Sequence, residues 1–86
     1  MIIEHFTQGA EPVYRRFRER GRMAPDGVVY IGSWVDTSVT QCWQIMQADD
    51  RALLDRWMAN WSDLVDFEVH EVITSAGAAA KVLRTE

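Results

Sequence analysis

Val28-Val29-Tyr30-Ile31-Gly32-Ser33-Trp34-Val35-Asp36-Thr37-Ser38-Val39-Thr40-Gln41-Cys42-Trp43-Gln44-Ile45-Met46-Gln47 reads as two strands joined by a short turn. Residues 28–36 are dominated by β-branched and aromatic side chains, which suit a pleated surface. Asp36 to Thr40 supplies the hairpin loop, and residues 40–47 form the return strand. In the return strand Cys42, Gln44 and Met46 alternate with Gln41, Trp43 and Ile45. In the first strand Val28, Tyr30 and Trp34 share one face, and Val29, Ile31 and Val35 share the other. Both faces are apolar, so the strand needs cover on both sides. Gly32 marks a bulge or a close approach of another group.

Outward from this hairpin the hydrophobic period changes. Upstream, Pro12 suits a first helical turn, and Val13, Tyr14 and Phe17 form a narrow apolar stripe that stops at Gly21. Pro25-Asp26-Gly27 then turns the chain into the hairpin. Downstream, Asp49-Asp50 caps a second helix, with Leu53, Leu54, Trp57, Met58, Trp61 and Leu64 at helical spacing. The ends of the chain add a strand at residues 1–7 and another at 67–74. In the first, Ile2, Glu4 and Phe6 share a face opposite Ile3 and His5.

The resulting order, β-α-β-β-α-β, predicts an α+β ferredoxin-like sandwich. Two right-handed crossovers give an antiparallel sheet of order 4-1-3-2 with both helices on one face. The other face would be exposed although it carries apolar residues, and a second copy stacked about a two-fold axis would cover it. The expected assembly is a homodimer forming a dimeric α/β barrel. Residues 1–75 make up the domain. The Ala- and Gly-rich tail, residues 76–86, is expected to be a partly ordered arm onto the dimer partner.

Composition narrows the function classes. A chain of 86 residues buries only roughly 60–65% of the surface its unfolded state exposes, so it gains from a partner. Cys42 is the only cysteine, which leaves no disulfide. A lone thiol without a signal peptide fits a reducing, cytoplasmic setting. No apolar run approaches the ~20 residues of a membrane helix. The net charge of −4 argues against nucleic acid as partner. Against that balance, Arg15, Arg16, Arg18, Arg20 and Arg22 hold five of the nine basic residues. They form either a solvated helix face or an anion-attracting stripe.

Several stretches carry a resemblance. Residues 17–25 (Phe17-Arg18-Glu19-Arg20-Gly21-Arg22-Met23-Ala24-Pro25), Ser33-Trp34-Val35-Asp36, Cys42-Trp43-Gln44-Ile45-Met46, and the run from Trp57 to Glu68 look like those of a small bacterial family of uncharacterised domains. That family resembles the dimeric α/β-barrel superfamily, and the likeness spans residues 1–75. The superfamily includes cofactor-free monooxygenases, muconolactone-isomerase-like enzymes, haem-degrading enzymes and ligand-binding regulators, so it does not choose an activity. The resemblance implies a ligand site between sheet and helices. The haem-degrading members hold iron through a helical histidine, and neither predicted helix here contains one.

Four tryptophans are the compositional oddity. Trp34, Trp43, Trp57 and Trp61 serve either as core packing or as walls of a cavity, and Trp57 and Trp61 lie four apart on one helix face. Gln44 sits mid-strand among apolar neighbours and must find a hydrogen-bond partner or read a ligand. His5 is the candidate general base, since its ordinary pKa lies near neutrality. His5 and His70 on neighbouring strands, with Glu4, Glu68 or Glu71, do not form a diagnostic metal pattern, and no metal or cofactor is expected. Cys42 has nothing nearby to lower its pKa and reads as an inert thiol.

The sequence thus predicts a homodimer that binds a small, mostly apolar or aromatic metabolite, with Trp34, Gln44, Trp57 and Trp61 at the ligand and His5 as catalytic residue. Whether it is an enzyme of the cofactor-free monooxygenase or isomerase kind stays open. The alternative is a non-catalytic interaction or ligand-sensing module whose arginine stripe meets an acidic partner.

Overall fold

The computed structural model describes residues 1–83. Four strands form one antiparallel sheet of order β2-β3-β1-β4, built from β1 (Ile2–Phe6), β2 (Val28–Val35), β3 (Gln41–Ala48) and β4 (Val65–Val69). Helix α1 (Ala10–Arg20) follows β1, α2 (Arg51–Ala59) follows β3, and α3 (Ser75–Leu83) ends the described chain. The expected sandwich and sheet order are therefore present, with a third helix added.

Local chemistry accounts for the boundaries. Gly21 stops α1 at φ 70°, and its N–H reaches the Phe17 carbonyl at 2.7 Å. Asp50 caps α2 by accepting from the Ala52 N–H at 2.9 Å. The apolar period of α2 continues past its end, yet the helix stops at Ala59. Trp61 and Leu64 instead sit in successive tight turns that lead into β4.

β4 stops at Val69 rather than running to Thr74. Among the described residues its one neighbour in the sheet is β1, and Val69 already pairs with Ile2. The last contact is the His70 N–H to the Met1 carbonyl at 2.8 Å, so the ladder ends where its partner does. Thr74 then starts α3 by accepting from the Gly77 N–H through its hydroxyl at 2.9 Å. Helix α3 contains no buried residue. The radius of gyration is 15.0 Å, against about 12 Å for a compact chain of this length. The end of the expected tail, residues 84–86, lies outside the described residues.

The core lies on the helix-covered face. Ile2, Met46, Val65, Val13, Trp57 and Trp61 are buried there. On the other face Val29, Ile31 and Trp34 are 54%, 57% and 60% exposed. A β-bulge decides which β2 residues lie where. The register slips between Tyr30 and Gly32, so facing reverses after it. Trp34 pairs with Trp43 on the open face, and Val35 pairs with Cys42 on the helix face. Strict alternation had placed Trp34 with Val28 and Tyr30. The Trp34 indole lies over Gly32, where a Cβ would stand 3.4 Å from the ring, in ordinary van der Waals contact.

Candidate functional site

Between the sheet and the helices lies a cavity of about 220 Å³. Its floor comes from alternate residues of β1 and β3, which period-2 geometry turns towards the helices: Glu4 and Phe6, with Cys42 and Gln44. The bulge adds Ser33 and Val35 from β2. Helix α1 contributes Val13, Tyr14 and Phe17, and the α2 side contributes Trp57 and Trp61. Tyr14 and Phe17 stay nearly half exposed at the rim, with Tyr14 edge-on to Phe6 at 6.3 Å between ring centres.

Gln44 and Arg22 act on a buried carboxyl group in this cavity, Glu4, which the sequence had offered only as a metal ligand beside His5 and His70. The Glu4 side chain is buried and accepts a hydrogen bond from Gln44 Nε2. Burial pushes its pKa from 4.5 up to about 7, against the opposing pull of the Gln44 hydrogen bond and the Arg22 charge. The same burial raises the Cys42 thiol to about 11, with the Glu4 charge adding to it. Desolvation also raises the Tyr14 phenol, and Cys42 and Glu4 push in the same direction. A carboxyl group that titrates near neutrality in a mostly apolar cavity can donate or accept a proton at physiological pH.

Arg22 closes one side. Its backbone carbonyl accepts from both Trp57 Nε1 at 3.2 Å and Trp61 Nε1 at 3.0 Å. The next residue, Met23, has φ 59° and turns its own carbonyl to Asn60 Nδ2 at 3.0 Å. A left-handed backbone at a residue other than glycine is held only where its surroundings fix it, and here three side chains from the α2 region do so. The two tryptophans are thus both cavity wall and anchor for the loop after α1.

Three of the five expected site residues, Gln44, Trp57 and Trp61, meet in this cavity. Trp34 and His5 do not. The bulge turns Trp34 onto the open face. His5 is on the same open face by strand alternation, between Gln41 (Nδ1 to Nε2, 2.9 Å) and Glu68 (Nε2 to Oε2, 3.2 Å). Glu4, its chain neighbour, faces the cavity instead. Alternation in residues 1–7 had already put Glu4 beside Ile2 and Phe6, and a carboxylate between two core residues was the available signal.

The arginine stripe is divided by the fold. Arg16 makes a two-pronged ion pair with Asp63 (2.8 and 2.7 Å) and donates to the Asn60 carbonyl at 3.0 Å. This pair lowers the Asp63 pKa and raises that of Arg16. Arg15 pairs with Glu11 one turn earlier. No group of three or more His, Cys, Asp or Glu is placed to hold a metal ion among the described residues. No helix among them is long and apolar enough to cross a membrane.

Fold and cavity together define a small ferredoxin-like α+β domain with an aromatic-walled chamber built around one buried carboxyl group. The family model described as domain of unknown function DUF3303 matches residues 1–86, and the chain belongs to that family. The match runs through the tail, beyond the 1–75 span of the sequence resemblance. No curated protein and no solved structure matches the chain.

Proposed function

We propose that this domain binds a small, mostly apolar or aromatic metabolite in the cavity between helices and sheet, and that Glu4 exchanges a proton with it. One observation carries the reading: the buried Glu4 carboxyl, clamped by Gln44, faces a chamber of about 220 Å³ walled by aromatic rings. An apolar cavity of about 150 Å³ accommodates benzene, so this one accommodates a single substituted ring. A carboxyl group with a pKa near 7 suits giving a proton to one position of a ligand and taking one from another, the chemistry of a cofactor-free isomerase. The other superfamily activity, cofactor-free oxygenation, has no specific observation in its favour.

Trp57 and Trp61 report on the cavity directly. With Trp34 and Trp43 both replaced by Phe, the remaining fluorescence is expected to shift or quench saturably with an aromatic ketone or acid. A flat response across quinones, flavins and aromatic acids would overturn binding. For catalysis, a bound ketone is expected to exchange its acidic C–H with D2O in the wild type and not in Glu4→Gln.

The exposed apolar face of the sheet favours a homodimer as the working unit, with Val29, Ile31 and Trp34 against the same residues of a second copy. Val82 and Leu83 of α3, 75% and 72% exposed, suit an arm onto that copy. Sedimentation is expected to give a dimer that Trp34→Glu converts to monomer. A monomeric wild type at micromolar concentration would overturn the assembly.

A further inference from the structure

The cavity wall contains a second charged group whose geometry asks for a ligand. The Arg22 guanidinium carbon lies 3.6 Å from the centre of the Tyr30 ring and 5.1 Å from that of Phe17. Tyr30 is held in turn by its hydroxyl, 2.6 Å from Ser33 Oγ. Tyr30 and Ser33 both lie on the helix face only because of the bulge between them. At its other end, the Arg22 backbone carbonyl is held by two indoles. The guanidinium is therefore fixed in place by stacking and by its main chain.

Its fork of N–H donors is not used by the described residues. Among the described residues, no carboxylate pairs with Arg22. Nor does any side-chain hydrogen bond of the described chain begin at its guanidinium, although Arg16, Arg15 and Arg51 all donate. Arg22 lines the cavity, and its charge acts on both Glu4 and Cys42. A stacked, oriented guanidinium with a vacant fork matches a planar two-oxygen anion.

We propose that the ligand carries a carboxylate which pairs with the Arg22 guanidinium while its ring lies against Trp57 and Trp61. The substrate class is a monocyclic aromatic acid, the size that the cavity of about 220 Å³ accommodates. This rests on the cavity being the ligand site, as proposed above.

Binding is then coupled to protonation. The groups around Glu4 are Tyr14 from α1, Arg22 from the following loop, Ser33 from β2, and Cys42 and Gln44 from β3. Of these Arg22 alone carries a positive charge, and the ligand carboxylate would neutralise it. Glu4 then keeps its proton, so binding takes a proton up from solution. Affinity is expected to be level below about pH 6 and to fall by up to about tenfold per pH unit above pH 7.

The test is calorimetric titration of the full chain with benzoate, trans-cinnamate and phenylacetate and with their methyl esters, near pH 6 and near pH 8. At least one acid is expected to bind about 10- to 100-fold tighter than its ester, with proton uptake shown by the dependence of the heat on buffer. Arg22→Gln should bring acid and ester together, and Arg22→Lys should restore part of the difference. Acids and esters binding alike would overturn this inference and leave the cavity reading standing. Binding by none of the six compounds would overturn both. The acid–ester comparison on the wild type decides the matter even where an Arg22 variant fails to fold.

Discussion

Gln44 Nε2 donates to the Glu4 carboxylate diagonally across the β1–β3 pair, and both side chains are buried, 5% and 7% exposed. The register sets Glu4 opposite Cys42 and Gln44 opposite Ile2, which brings the two polar groups together on the helix face. Burial without an ionic partner makes the charged carboxylate costly, and the single amide hydrogen bond offsets part of that cost.

Stability therefore depends on pH through Glu4 in a definite direction. With a folded pKa of about 7 against 4.5, the folded state holds more protons than the unfolded state between these values. Stability is greatest below about pH 4.5, declines as pH rises through the window, and by pH 8 has lost on the order of 3 kcal/mol from this group. Glu4→Gln keeps an amide in the same place and has no charge to bury. The variant is expected to exceed the wild type in urea midpoint at pH 8 and to match it near pH 4.5. A constant difference across the range would show that the carboxyl does not titrate in the folded state as argued. Asp36 and Asp63, whose pKa values are lowered by hydrogen bonds, lose their contribution only at more acid pH.

Trp57 and Trp61 share one acceptor, so their losses should not add. Either Trp→Phe change leaves the Arg22 carbonyl with one N–H donor, at a cost of about 1 kcal/mol. The second removal leaves a partly buried carbonyl with neither indole and should cost about 1 kcal/mol more than the first. Urea unfolding of both single variants and the double variant measures the coupling. Strict additivity would mean that the carbonyl is readily rehydrated.

The element order, the sheet order and half of the chamber were legible because they rest on local patterns. Period-2 alternation in residues 40–47 put Cys42, Gln44 and Met46 on one face, as found. The α2 period likewise put Trp57 and Trp61 together. Trp34 was misplaced because a bulge adds one residue to β2, and alternation alone cannot say on which side of Gly32 the extra residue falls. The end of β4 depended on where β1 ran out, which is a property of pairing between distant segments. The buried acid was missed for a different reason. Histidine attracts attention as a base through its ordinary pKa, whereas a glutamate becomes one only through an environment that forms on folding.

Cys42 should be slow to react in the folded protein. Its thiol stands at about 11 against an ordinary 9.0, which reduces the thiolate fraction near pH 8 about hundredfold. Alkylation by iodoacetamide is expected to be at least that much slower in buffer than in urea, with burial of the sulfur adding to the effect. Glu4→Gln removes one cause of the raised value and should speed the native reaction modestly. Equal rates in buffer and urea would place the thiol in solvent and remove it from the cavity floor.

Val39 holds a left-handed backbone, φ 58°, at the end of the β2–β3 hairpin. Its N–H closes the turn on the Asp36 carbonyl at 2.9 Å. The Asp36 carboxylate fixes the rest of the loop by accepting from the Thr40 and Gln41 N–H groups at 2.8 and 3.1 Å and from the Ser38 hydroxyl at 2.8 Å. A turn of this kind ends on a residue that tolerates positive φ, which favours glycine or asparagine. A β-branched residue there costs on the order of 1–2 kcal/mol, and Val39 is too exposed to recover it by burial. Val39→Gly is therefore expected to raise stability by about 1 kcal/mol and Val39→Asn by a comparable amount, read as a higher urea midpoint with unchanged slope. Asp36→Ala should have the opposite effect, because it removes the acceptor that holds Thr40 and Gln41 in place. If Val39→Gly lowered the midpoint instead, the valine side chain would have to contribute more through contact than its backbone conformation costs, and the loop would be held by packing rather than by the Asp36 hydrogen bonds.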